Sequence, residues 1–395
     1  MMIDICVVGG GASGMIAAAA ARMENPKASI RILEKKGAVG KKLLATGNGR
    51  CNLTNTACGQ ADEIIAFFKM LGVKTREEEQ GRVYPYSGRA KDVLNAFTLF
   101  LNSRNIDVVT DFTVDSLNFD RPGEFAVCGE HKKNSEQITA RKVLLAPGGQ
   151  AGPQFGCSGD GYRMARAAGH TVTKIQPSLS PVECEGSFEG LKGVRAKATV
   201  TLLKNGAAVH SEAGELQFTE YGLSGICIFN ISRHVRTEGC GFNDYEIAAD
   251  LMADVGMDEL HNELKSRRDE LGIPIGELLV SLVPGELAGF VLDRAGAKRG
   301  GTADDAQVKR IAEALKGLKF TVSNIRGWKH AQCTSGGLAA SEINMRTMES
   351  KTVKGLYFAG EIIDYDGPCG GYNLNNAWWT GIKAGRAMGA DVQDS

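Results

Sequence analysis

Gly9, Gly11 and Gly14 stand at the spacing G-x-G-x-x-G, and the chemistry open to that spacing is capture of a pyrophosphate by backbone N–H groups. Gly9 permits a tight turn, Gly11 lets a phosphate touch the backbone, and Gly14 lets the next helix lie close on the preceding strand. Ala12 and Ser13 open that helix, whose first N–H groups and partial positive charge face the phosphates. Glu34, with Lys35 beside it, follows twenty residues after Gly14 and offers a carboxylate to a ribose hydroxyl. An acid there suits an adenosine without a 2′-phosphate, meaning FAD or NAD rather than NADP.

The elements that must hold these groups are readable around them. Ile3 to Val8 reads as a buried parallel strand, and Ala28 to Leu33 as a second. Between them Ala12, Met15, Ile16, Ala19, Ala20 and Met23 recur at helical spacing. Residues 37–55 have no apolar period but are rich in Gly, Asn and cations. They read as a wrap around the rest of a long cofactor, through Lys42, Leu43, Asn48, Gly49, Arg50, Cys51 and Asn52. Lys42 and Arg50 are candidate phosphate or flavin-edge contacts, and NAD alone would not need such a wrap. A strand over Ile138 to Ala146 ends in Pro147-Gly148-Gly149 and returns the chain to the cofactor. Near the C-terminus a strand ends in Gly360-Glu361, an acid suited to the ribityl chain of FAD. Gly371, Asn373, Leu374, Asn375 and Asn376 then open an amphipathic helix whose N-terminus would face the pyrimidine edge of a flavin.

Composition narrows the class. The chain has 395 residues, enough for two or three domains, and its 50 glycines exceed the usual ~7%. Lys+Arg and Asp+Glu balance at 46 each, which argues against a nucleic-acid or anionic-membrane footprint. Asp4 and the glycine cluster are unlike a signal peptide, and no run approaches ~20 apolar residues. A cytoplasmic enzyme is expected. The ten cysteines form no CxxC pair and the six histidines are scattered, so no metal site is expected.

From about residue 185 the pattern becomes β-like, with Ala196, Ala198, Val200 and Leu202 alternating before an Asn205-Gly206 hairpin turn and strands continuing to about Ile231. Residues 257–316 then read as helical, with Met257, Leu260, Leu264 and Leu271 on one face. The expected architecture is an α/β Rossmann-type FAD-binding domain (1–184 and 320–395) with an inserted β-barrel-like domain (185–245) and a helical subdomain (246–319). The insertion would roof the site and select the substrate.

The segments VVGGGASG, GKKLLATGNGRCNLTN, LLAPGG, TSGGLAASEINMRTMESK and GLYFAGEIIDYDGPCGGYNLNNAWWTGIKAG occur in this order. By them the chain resembles the bacterial BaiN-like flavoproteins, also known as the aminoacetone oxidase family. The resemblance implies noncovalent FAD, an inserted β-barrel and a helical subdomain. Through a bile-acid-inducible member it implies an ene-reductase that saturates a C=C conjugated with a carbonyl in a small hydrophobic substrate, such as a 3-oxo steroid. An O2-using amine oxidase stands second, and a flavin-dependent nucleic-acid modifier or redox sensor third. With one G-x-G-x-x-G only, NADH or NADPH, if it is the donor, would dock transiently over the flavin as reductant, and another electron carrier is an equally open alternative. Tyr365 and Tyr372 flank Gly367-Pro368-Cys369-Gly370-Gly371 and are candidate proton donors, because a neutral phenol donates at pH 7. Arg195 and His330 are further candidates, for polarising the carbonyl; Cys333 and Cys369 read as structural.

Overall fold

The computed structural model describes residues 2–121, 123–237, 239–297 and 300–390. It divides into two compact units, Met1–Pro177 with Gln332–Ser395, and Ser178–Ala331.

In the first unit, β1 (Ile3–Val8) is apolar except at Asp4, as a strand covered on both faces requires. It pairs in parallel with β2 (Ile30–Leu33) on one side and with Asn134–Leu145 on the other. Asp107–Val109 and Leu356–Phe358 extend the parallel set at its two sides. An antiparallel meander, Phe112–Arg121 and Glu124–His131, pairs with the first half of the long strand Asn134–Leu145.

The helix α1 (Ala12–Glu24) is Ala-rich because another backbone lies against it. In the terminal helix Tyr372–Ala390, glycines recur every fourth residue at 381, 385 and 389. A Cβ on Gly381 would lie 2.6 Å from the Ser13 carbonyl oxygen, one on Gly385 would collide with the Ala17 carbonyl, and one on Gly389 would lie 2.8 Å from the Ala21 carbonyl oxygen. Contacts that advance together along both helices make them parallel, so both N-termini point to the same end of the sheet.

Trp378 fixes the outer side of the terminal helix. It is fully buried, stacks on Phe97 (centroids 5.7 Å apart) and meets Phe68 edge-on (5.1 Å), while its Nε1–H donates to the Leu53 carbonyl at 3.0 Å. Trp378→Ala is expected to destabilise the fold by about 3–5 kcal/mol, read as a lowered urea midpoint. An unchanged midpoint would show that this aromatic cluster does not hold the helix.

The second unit contains a closed six-stranded barrel followed around the wall by Val182–Cys184, Gly222–Ser224, Ala207–Thr219, Arg195–Lys204, Tyr245–Asp250 and Leu318–Ile325. All its pairings are antiparallel. Asn205 and Gly206 take φ of 50° and 81°, both left-handed as a type I′ turn demands. Helices Met257–Asp269, Gly285–Arg294 and Asp305–Lys316 complete the unit.

Several expected boundaries move. A barrel loses its edges only when its first and last strands pair, and here these are Val182–Cys184 and Leu318–Ile325. The limits at 184/185 and 319/320 therefore shift to Ser178 and Ala331, and Phe320 is a buried barrel residue. The division at 245/246 cuts the strand Tyr245–Asp250, whose inward and outward residues alternate. Ile226–Ser232, expected as strand, is a helix with Cys227, Ile228 and Ile231 buried. Leu271 and Met257 are exposed, because the helix ends at Asp269 and buries only Leu260 and Leu264. The last five residues of the expected block 320–395 lie outside the described residues.

Candidate active site

The parallel strands end together, and Val8 and Leu33 from two of them, with Ala146 just past the end of a third, line a cavity within the first unit. This is where a doubly wound sheet binds its ligand. The empty space in the cleft is about 1310 Å3, the solvent at its open mouth included.

The three fingerprint glycines differ in what requires them. Gly9 has φ 108°, and a Cβ there would collide with the Ala146 carbonyl; a Cβ on Gly14 would collide with the Gly9 carbonyl. The fold itself excludes side chains at both. Gly11 has φ −83°, and no atom lies within 4 Å of where its Cβ would be. The protein makes no demand on Gly11, so its bareness serves whatever enters the cavity. α1 begins there with no side-chain cap, leaving its first N–H groups to a ligand.

Glu34 closes β2 in the cavity wall, where one carboxylate oxygen accepts from the Gly10 N–H (2.9 Å) and the other from the Lys36 N–H (2.8 Å). Each oxygen keeps acceptor capacity for a ribose hydroxyl. Lys35 also lines the wall, bound to Ser158 and, at 2.6 Å, to Asp160. Burial opposes ionisation of Asp160, but the hydrogen bonds from Lys35 and Ser158 hold its carboxyl below the ordinary range.

Elsewhere in the wall Lys42 Nζ donates to Glu361 Oε2 (2.6 Å) and to the Ala151 carbonyl (3.0 Å). Glu361 Oε1 accepts from the Thr334 N–H (2.9 Å) and hydroxyl (3.0 Å). Burial pulls the Lys42 ammonium down most strongly, but the Glu361 charge and hydrogen bond, with smaller help from Cys157 and Cys333, together outweigh it and leave Lys42 above its ordinary value. Cys157 and Cys333 share this wall as thiols pushed up by burial, Cys333 well above the ordinary range.

Other expected residues divide. Ala12, Ser13, Leu43, Gly148, Asn373, Leu374 and Asn376 reach the cavity wall. Gly149 and Gly360 stand behind it, where a Cβ would press on Glu361 (2.8 Å) and on the Ser13 hydroxyl (2.5 Å). Gly371 is tight against the Thr54 carbonyl, and the Asn375 amide turns away to accept from the Thr54 hydroxyl at 2.6 Å.

The end of the wrap segment departs from expectation. The helix Lys41–Ala45 turns Lys42 and Leu43 inward, then left-handed Gly47 and Asn48 lead the chain away from the cavity. Asn48, Gly49, Arg50, Cys51 and Asn52 are outside its lining. Arg50 is taken up by Glu78 at 2.6 Å and lies over the Tyr84 ring at 4.1 Å. Cys51 and Asn52 are buried, and Asn52 Oδ1 has no hydrogen-bond partner.

Of the catalytic candidates, Tyr365 lines the cavity and is 40% exposed, whereas Tyr372 is outside the lining. Arg195 is an exposed barrel residue paired with Glu215 at 3.0 Å. His330 belongs to the second unit and meets Arg326 at 3.0 Å; burial and the Arg326 and Lys329 charges hold its imidazole below its ordinary value. Sequence reasoning missed Asp160, Cys157, Gln332 and Thr334 as parts of this region, since the first three lie outside the motifs and Thr334 opens one to which no chemistry was attached. Among the described residues, no cluster of His, Cys, Asp and Glu could hold a metal, and no helix is long and apolar enough to cross a membrane.

Comparison with known proteins identifies the family. The HI0933-like protein Rossmann domain matches residues 59–387. A 3-dehydro-bile acid delta(4,6)-reductase from Clostridium scindens is 33% identical, over 98% of this chain and 99% of its own. The chain belongs to the HI0933-like family. The protein is thus a flavoprotein oxidoreductase of the family its motifs resemble. A ribosomal RNA dihydrouridine synthase from Haemophilus influenzae is 26% identical to it over 94% of this chain and 95% of its own. In fold, a 3-ketosteroid delta1-dehydrogenase from Sterolibacterium denitrificans covers 98% of this chain and 99% of its own, with TM-score 0.53 and 13% identity. The cavity of this HI0933-like protein fits FAD: bare Gly11 at an uncapped helix start suits the pyrophosphate, and Glu34 suits the ribose.

Proposed function

We propose that this HI0933-like protein reduces a C=C conjugated with a carbonyl in a small hydrophobic substrate of the 3-oxo steroid or bile-acid type, with NADH or NADPH as reductant. The overall change is NAD(P)H + H+ + C=C to NAD(P)+ + CH–CH. The observation that carries the reading is a common bond change in the relatives' names. A delta(4,6)-reductase of a 3-dehydro-bile acid and a dihydrouridine synthase both saturate a C=C conjugated with a carbonyl. When bound, FAD would supply the hydride transfer from nicotinamide to one carbon of that C=C, leaving the other to be protonated.

The chain's own residues supply the rest. Gly11 and the start of α1 would take the pyrophosphate, and Glu34 the adenosine ribose. Lys42, Glu361, Asn373 and Leu374 would border the reactive end, and Tyr365 would deliver the proton to the alkene carbon. The balanced charge of the chain favours a neutral apolar substrate over a polyanion. A second reading, uridine in RNA, is favoured by the dihydrouridine synthase relative.

Anaerobic rapid mixing of the yellow holoenzyme tests this. NADH or NADPH is expected to bleach the flavin, and a 4-en-3-one steroid to restore its colour. Recovery with uridine-containing RNA but not with the steroid would move the substrate to nucleic acid. Recovery only on admitting O2, with a small aminoketone as the bleaching reductant, would establish an oxidase instead.

A further inference from the structure

The ion pair between Lys42 and Glu361 joins residues at opposite ends of the chain and stands in the cavity wall. The other ionic groups there are differently placed. Glu34 is held by two backbone N–H groups, Lys35 is offset by Asp160, and Lys41 is exposed. We infer that Lys42 and Glu361 act as opposed poles that set the electron affinity of the bound flavin, Lys42 raising it and Glu361 lowering it.

The inference rests on the family's FAD cofactor and not on the choice of substrate. A flavin that takes up two electrons and one proton gains a negative charge, which a fixed cation nearby stabilises and a fixed anion opposes. Such effects are larger in a water-poor cavity than in solvent. Position is fixed on both sides. Lys42 gives two of its three N–H bonds to Glu361 and the Ala151 carbonyl, and Glu361 commits its other oxygen to Thr334. The third Lys42 N–H remains for the cavity. With its ammonium favoured by the carboxylate beside it, Lys42 keeps its charge through the neutral range.

A lysine serving only as a phosphate ligand would behave differently. It would bind oxidised and reduced cofactor equally and leave the potential unmoved. A lysine serving only as packing would alter retention and stability. Opposite shifts from removing the two partners belong to charge alone.

The test is dye-equilibrated anaerobic titration of the flavin midpoint potential in the holoenzyme, with FAD affinity measured separately. Lys42→Met is expected to weaken binding of reduced relative to oxidised FAD on the order of tenfold, a fall of about 30 mV for a two-electron couple. Glu361→Gln is expected to shift the potential upward by a similar factor. Lys42→Arg should stay near the parent, and the double variant Lys42→Met with Glu361→Gln should return toward it. A parent potential in Lys42→Met, or shifts of the same sign in both single variants, would overturn the inference. If Glu361→Gln does not retain FAD, Lys42→Met and Lys42→Gln decide it: both fall, or the inference is wrong. Parent protein that carries no FAD would instead overturn the cofactor assignment, a separate result.

Discussion

Tyr365→Phe is expected to slow reoxidation of the reduced flavin by an enone on the order of 10²-fold, the usual contribution of a positioned general acid. Reduction of the flavin by NADH or NADPH should keep its parent rate, because no proton need reach an alkene carbon in that half-reaction. Tyr372→Phe should change neither. The two tyrosines flank the same glycine-rich turn, yet only Tyr365 lines the cavity. The substitution removes one oxygen and keeps the ring, so the cavity wall stays filled and substrate binding is largely preserved. Stopped-flow measurement of the two half-reactions separates the effects. Parent reoxidation rates in Tyr365→Phe would remove it as the acid.

What could be read in the sequence was local, and what could not was set by partners distant in the chain. β1, α1 and β2 were legible because strand, glycine turn, small-residue helix and acid each carry their own signature within some thirty residues. The barrel's ends were not, because Val182–Cys184 and Gly222–Ser224 are three-residue strands. Three residues are too few to show alternation, and closure depends on a strand near residue 320. Arg50 illustrates the same limit at the site. Its residue type suits a phosphate, but Glu78 and the Tyr84 ring occupy it first. Lys42 and Glu361 were each recognisable as candidate cofactor contacts, whereas their pairing across 319 residues became visible only in the fold. The glycines at 381, 385 and 389 held a further legible message, since spacing by four on one helix face marks a close helix neighbour.

Gly11→Val is expected to give a protein that folds as the parent does and purifies without colour, its FAD affinity lowered on the order of 10²-fold or more, roughly 3 kcal/mol. The expectation follows from the contrast among the fingerprint glycines. At Gly11 the backbone φ of −83° suits any residue and the Cβ position is empty of protein atoms, so valine costs the apoprotein little. The same empty space is where the pyrophosphate must approach the first N–H groups of α1, and a branched side chain fills it. Gly14→Ala is the control with the opposite logic. Its Cβ would collide with the Gly9 carbonyl, forcing α1 off β1 at about 1–3 kcal/mol of stability whether or not cofactor is present. Thermal melts of both apoproteins, with FAD titrated by the change in its fluorescence, distinguish the two. A Gly11→Val protein that melts as the parent and still binds FAD at parent affinity would show that the pyrophosphate lies elsewhere than at the start of α1.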